Sequence, residues 1–137
     1  MNAWLTGLLS LVALATLLTA LYIWNRRPAT PYTAEQVRAG IHHQTIHHVV
    51  DVRDSVAWDT GHYSRAYHIP LKQLPSMLSA TLHDRSRMVL FYGTAEKAFK
   101  AAQVAQELGY SSVGYLVEGS YRDFEHRDPP IKSEMAQ

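Results

Sequence analysis

The chain has 137 residues, 47% of them apolar and 18% charged, with 13 Lys+Arg against 12 Asp+Glu. That near balance argues against a nucleic-acid-binding face, which needs excess positive charge to neutralise phosphates. The absence of any cysteine excludes disulfides, thiolate metal sites, cysteine nucleophiles and persulfide intermediates.

The charge is unevenly spread. Arg26 is the first charged side chain, and setting Arg26 and Arg27 aside leaves 11 basic and 12 acidic groups over the rest. The segment from Ala3 to Trp24 carries no charge. As a helix at 1.5 Å per residue it would cover ~33 Å, enough for a hydrocarbon core of ~30 Å. Trp4 marks one end, and Tyr22 and Trp24 the other, where amphipathic rings favour the headgroup zone. A cleaved signal peptide would show a basic start, a shorter apolar run and a small-residue cleavage site. No Lys or Arg precedes this run and bulky residues close it, so a retained transmembrane anchor is expected. Arg26 and Arg27 place the C-terminal side in the cytoplasm by the positive-inside rule, with the opposite orientation as the alternative. The short anchor-plus-domain layout suggests a bacterial inner-membrane protein. The expected division is an anchor over 1–27, a linker over 28–31, a folded domain over 32–130 and a loose tail over 131–137.

Pro28 to Pro31 read as a short, stiff connector. Thr33, with Gln36 three residues on, forms a capping-box pattern for a helix over 34–39 that Gly40 ends. The β-branched run 46–52 (IHHVVDV) predicts a buried strand, with Ile46 and His48 on one face and His47 and Val49 on the other. A helical turn over 55–59 precedes Gly61, and a helix is expected over 72–82. A second buried strand covers 88–92 (MVLFY). The helix over 95–108 (AEKAFKAAQVAQEL) places Ala95, Ala98, Phe99, Ala102, Ala105 and Leu108 on its apolar side, with Glu96 and Lys100 paired outside. Gly109 ends it, and a third strand follows over 113–117. Strands alternating with helices imply an α/β domain with a small parallel sheet covered on both faces.

Three stretches carry a resemblance. VVDVR at 49–53 is followed by Gly61-His62 and Ile69-Pro70. MVLFY runs directly into a loop and an Ala-rich helix ending Leu108-Gly109-Tyr110. LVEGS at 116–120 is followed by Phe124. In this order they resemble the rhodanese (sulfurtransferase) domain over about 32–130. In that family the nucleophile follows the second strand as Cys-x-x-Gly-x-Arg, in a loop whose amides and helix N-terminus hold an anionic persulfide. Carried over residue by residue, the Cys falls on Gly93, the loop Gly on Glu96 and the Arg on Ala98. The remnant loop, Gly93, Thr94, Ala95, Glu96, Lys97 and Ala98, therefore has no nucleophile, an added negative charge and no guanidinium. Thr94 has no evident neighbouring base. No catalytic residue and no cofactor are expected.

The resemblance implies a structural role for Asp51, Arg53, Gly61 and His62. Asp51, Arg53 and His62 are expected to hydrogen-bond one another and tie loops at the sheet's carboxyl edge. Trp58, Tyr63, Arg65 and Tyr67 fall on loops that rim the family's active face, and form a candidate partner-binding surface. His42, His43, His47 and His48 invite a metal reading, but a strand starting at Ile46 separates them, so a solvated cluster without metal is expected. His68 and His83 read as isolated. The function implied is a catalytically inactive membrane protein acting as an adaptor or accessory subunit. Its partners would be the bilayer through residues 3–24 and another membrane protein or complex. The alternatives are a small-anion sensor using the remnant loop, or a role in which a partner supplies the thiol.

Overall fold

The computed structural model describes residues 2–25 and 28–125. The apolar run forms one helix, α1 (Ala3–Asn25), long and apolar enough to cross a membrane. Its hydroxyls turn back onto the preceding carbonyls, Ser10 to Thr6 at 2.9 Å and Thr19 to Ala15 at 2.8 Å, so they present little free polarity to an apolar medium. Arg26, Arg27 and the expected tail over 131–137 lie outside the described residues.

The remaining elements follow as β1 (Thr30–Thr33), α2 (Ala34–His42), β2 (His48–Asp51), α3 (Ser55–Thr60) and β3 (Tyr67–His68). After a single turn of tighter helix at Leu71–Gln73 come α4 (Leu74–Thr81), β4 (Val89–Tyr92), α5 (Ala95–Glu107), β5 (Val113–Glu118) and α6 (Tyr121–Phe124). The strands form one five-stranded sheet in the order β1-β5-β4-β2-β3, and every pairing is parallel. All four residues of β4 are buried because the sheet is covered on both sides. On one face Val50, Val89 and Phe91 pack with Leu74 and Leu78 of α4 and with Ala98, Ala101, Ala102 and Ala105 of α5. On the other, Val49, Leu90, Tyr92 and Leu116 pack with Ala34 and Val37 of α2 and with Phe124 of α6. The alanine stripe lets α5 sit close against the sheet, and the Tyr110 hydroxyl satisfies carbonyls at the end of α4.

Several expectations are corrected. The connector becomes a strand from Thr30 onward, because it pairs with β5 and the Tyr32 ring packs against Gly114, where a Cβ would fall 2.5 Å from it. Pro31 is tolerated since β1 is an edge strand. The alternation expected across 46–49 breaks: the amides of His47 and His48 both donate to the Met88 carbonyl, each at 3.1 Å. This bulge turns Ile46 into the same cluster as Val49. The short strand β3 and helix α6 were not anticipated.

Helix α2 does not stop at Gly40 but runs to His42. The capping box at its start is formed, Thr33 accepting from the Gln36 amide and Gln36 accepting from that of Thr33. At its end Gln44 takes the left-handed φ of 59°. The amides of Gln44 and Thr45 return to the carbonyls of Ile41 and Gly40 at 3.2 and 2.9 Å, a Schellman closure. Gly40 is required for contact: a Cβ there would fall 2.6 Å from the Ile46 Cδ1. Gly40→Ala is therefore expected to destabilise by about 1 kcal/mol, overpacking outweighing the gain in helix propensity. Gln44→Gly should stabilise by a similar amount, by removing left-handed strain. Chemical denaturation of the two variants checks both signs, and stabilisation by Gly40→Ala would show that Ile46 yields freely.

Candidate functional site

The carboxyl ends of β2 and β4 bring together Asp51, Arg53, Tyr92 and Gly93. Asp51 is the one charged side chain among the described residues that is fully buried. Its carboxylate accepts from the Arg53 amide at 2.9 Å and is gripped by the guanidinium through Nε at 3.0 Å and Nη2 at 2.7 Å. The same Nη2 donates to the Gly61 carbonyl at 2.7 Å, which ties the loop after α3 to the end of β2. The guanidinium carbon lies 5.4 Å from the Tyr92 ring centre and 5.1 Å from that of Tyr121, within cation–π range. Hydrogen bonding to Asp51 raises the Arg53 pKa further above its ordinary value. Burial, with the Asp51 charge nearby, pushes the Tyr92 phenol well above its usual range even though the phenol oxygen accepts from the Tyr63 amide at 3.0 Å. Tyr92 therefore stays a neutral phenol, and Arg53 stays charged and fully engaged.

A second group stands beside this knot. The Trp58 indole lies parallel to the His62 imidazole with ring centres 3.3 Å apart, and to that of His68 at 4.6 Å. His62 Nδ1 is bonded to the Trp58 carbonyl at 2.9 Å, so His62 does not join Asp51 and Arg53 as expected. His68, read as isolated, is bonded through Nε2 to the Arg53 carbonyl at 3.0 Å. Tyr63 is buried beneath Phe124, so it does not stand on an exposed rim. Trp58 is half-buried, while Arg65 and Tyr67 are exposed. Tyr67 meets His48 edge-on across the β2–β3 pair.

The six positions matched to the family's active loop do not form a loop. Only Gly93 and Thr94 separate β4 from α5, and positions 95–98 are helical. Thr94 is the N-cap, its hydroxyl accepting from the Lys97 amide at 3.2 Å. Glu96 is exposed and pairs with Lys100 at 3.3 Å. Ala98 is completely buried in the core. Helix capping has therefore taken an amide that an anion would need. Two guanidiniums among the described residues stand at this edge: Arg53, already held by a carboxylate, and Arg122, whose carbon lies 5.8 Å from the Tyr121 ring centre. What the site presents is a closed aromatic and ion-pair lock.

A parallel sheet covered on both faces, with a strand-to-helix junction at its carboxyl edge, is the architecture of a rhodanese-like α/β domain. Residues 33–127 match the family model of the rhodanese-like domain, and the chain belongs to that family. Solved structures give the same fold. A human single-domain sulfurtransferase aligns at 20% identity over 75% of this chain and 99% of its own, with a TM-score of 0.59. A single-domain sulfurtransferase from Saccharomyces cerevisiae aligns at 20% identity over 72% and 90%, with a TM-score of 0.57. A rhodanese from E. coli, solved with anions, aligns at 24% identity over 60% and 93%, with a TM-score of 0.51.

Proposed function

We propose that this chain is a membrane-anchored rhodanese-like domain that carries out no persulfide chemistry, and that it serves as an adaptor or accessory subunit of a membrane complex. The supporting observation is the strand-to-helix junction: the nucleophile position is glycine, the loop is replaced by a capped helix, and the chain has no cysteine anywhere. The layout fits a bacterial inner membrane with the domain on the cytoplasmic side, and the docking surface is the carboxyl edge with Trp58 and Tyr67; Arg65 lies instead with Ile41, Gln44 and His47 at the other end of the sheet.

Cross-linking of the full-length protein in native membranes, followed by mass spectrometry, tests this reading. The expected result is a reproducible partner joined through 58–67 or the Gly93 junction. Partners found only through residues 3–24 would make the anchor the working part and defeat the adaptor reading. The sensor reading is less well supported, since Thr94 occupies the cap and Asp51 occupies Arg53. Titration with phosphate, sulfate or thiosulfate is expected to leave Tm unchanged. A role with a borrowed thiol needs a partner cysteine cross-linking close to Gly93.

A further inference from the structure

The strands begin together at one end of the sheet. Thr30 lies level with Gly114, Gly114 with Leu90, and Leu90 with Val49. The chain enters from α1 at this end, and five residue steps separate Asn25 from Thr30. Fully extended, those steps reach at most about 18 Å. Where α1 spans a bilayer, this end of the sheet is therefore held close to the headgroups, while Gly93 and Arg53 stand at the opposite end.

The two ends differ in chemistry. Of the eight histidines in the chain, five gather where the strands begin. His42, His43, His47 and His83 are exposed, and His48 is half-exposed. The other charged groups there are Arg38, Arg65, Arg85 and Arg87, with Glu35, Asp84 and Glu107 opposing them. Asp84 is partly neutralised by Arg87 at 3.4 Å. At the far end the exposed carboxylates of Asp54, Glu96, Glu118 and Asp123 stand among Lys72, Lys97, Lys100 and Arg122, with Glu96 paired to Lys100. The near surface is also held in place. Asp84 accepts from the Ser86 amide at 3.0 Å, the Arg85 carbonyl accepts from the Ser111 amide at 3.1 Å, and His47 Nδ1 accepts from the Met88 amide at 3.1 Å.

We infer that this histidine- and arginine-bearing end of the sheet is a docking surface for anionic phospholipid headgroups, which seats the domain on the bilayer with its carboxyl edge turned away. The inference rests on reading α1 as a membrane span. The occupant follows from the tether and the charge: the surface lies within reach of the bilayer, and Arg26 and Arg27 of the tether extend the same sign. Cations at an anionic surface contribute additively and are screened by salt. His42, His43 and His83 have no hydrogen-bond partner among the described residues, so their ring N–H groups can donate to headgroup phosphates. His47 already uses one ring nitrogen as an acceptor. Burial, with His47 and Arg87 adjoining, lowers the pKa of His48 despite the opposing pull of Asp84, so His48 adds little.

Amide hydrogen exchange of the full-length chain in nanodiscs of pure phosphatidylcholine and of pure phosphatidylglycerol tests the inference, comparing the two lipids at low and at high salt. Segments 42–47 and 83–88 are expected to exchange about fivefold more slowly in phosphatidylglycerol. The difference should vanish in high salt, and replacing Arg85 and Arg87 with glutamine should reduce it. Protected α1 amides with equal exchange of both segments in the two lipids would overturn the docking surface while leaving the anchor standing. Freely exchanging α1 amides would overturn the anchor and the surface with it. Slowing confined to 93–98 would show that the opposite end faces the lipid.

Discussion

Arg53→Ala is expected to remove about 3 kcal/mol of folding free energy, because it strands the Asp51 carboxylate in the interior without its partner. Asp51 has no exposed surface, and three of the four hydrogen bonds that it accepts come from the Arg53 side chain. Water cannot replace them without opening the end of β2. The same truncation releases the Gly61 carbonyl and takes the cation from between Tyr92 and Tyr121. For a domain of this size the loss corresponds to a Tm lowered by about 12–24 °C. Asp51→Asn should be milder, about 1–2 kcal/mol, since an amide keeps part of the hydrogen bonding and the partly exposed guanidinium can turn toward solvent. Denaturant unfolding of both variants in detergent checks the order. Equal losses, or a larger one for Asp51→Asn, would mean that the carboxylate is solvated and the lock is not buried as described.

The parts of this fold legible in the sequence are those whose signal is local. The runs VVDV and MVLFY are buried on both sides and read as strands without alternation. The spacing in α5 gives Ala98, Ala102 and Ala105 of its packing face, but Ala95 and Phe99 are exposed and Ala101 is buried instead, and Thr33 with Gln36 announces the start of α2. What escaped depends on contacts between distant segments. β1 is four residues with a proline, and its strand geometry comes from pairing with β5 more than eighty positions later. Helix α2 passes through Gly40 because Ile46 packs onto it, a contact that no helix propensity records. The bulge at His47 and His48 depends on the Met88 carbonyl. The site divides the same way. Asp51 and Arg53 are two positions apart and their pairing could be read directly. Tyr92, Tyr121 and the Gly61 carbonyl complete the lock from three other segments. His68 reaches the Arg53 carbonyl from fifteen positions away, and nothing in its own neighbourhood hints at that.

Restoring the nucleophile should not restore the chemistry. A Cβ at Gly93 would lie 3.1 Å from Val52 Cγ2 and 3.4 Å from Arg53 Cγ, so Gly93→Cys needs adjustments of only a few tenths of an ångström and is expected to fold. Its thiol would stand two residues before α5, where the helix dipole favours the thiolate, and alkylation by a small reagent should proceed readily. Transfer of sulfur from thiosulfate to cyanide should nevertheless stay at background. Four of the six matched positions are already helical and Thr94 holds the Lys97 amide, so no ring of donors surrounds a persulfide. The second restoration is closed by packing. Ala98 has no exposed surface and faces the sheet across the core. Ala98→Arg would bury a guanidinium with no carboxylate to meet it, at a cost of about 4 kcal/mol or more. That is a large share of the ~5–15 kcal/mol that holds a domain of this kind together, so the double variant should be largely unfolded. Thiocyanate formed by Gly93→Cys alone would show that the junction can reopen into a loop. Alkylation without transfer would place the barrier to sulfur transfer in the backbone of α5 as much as in the missing thiol.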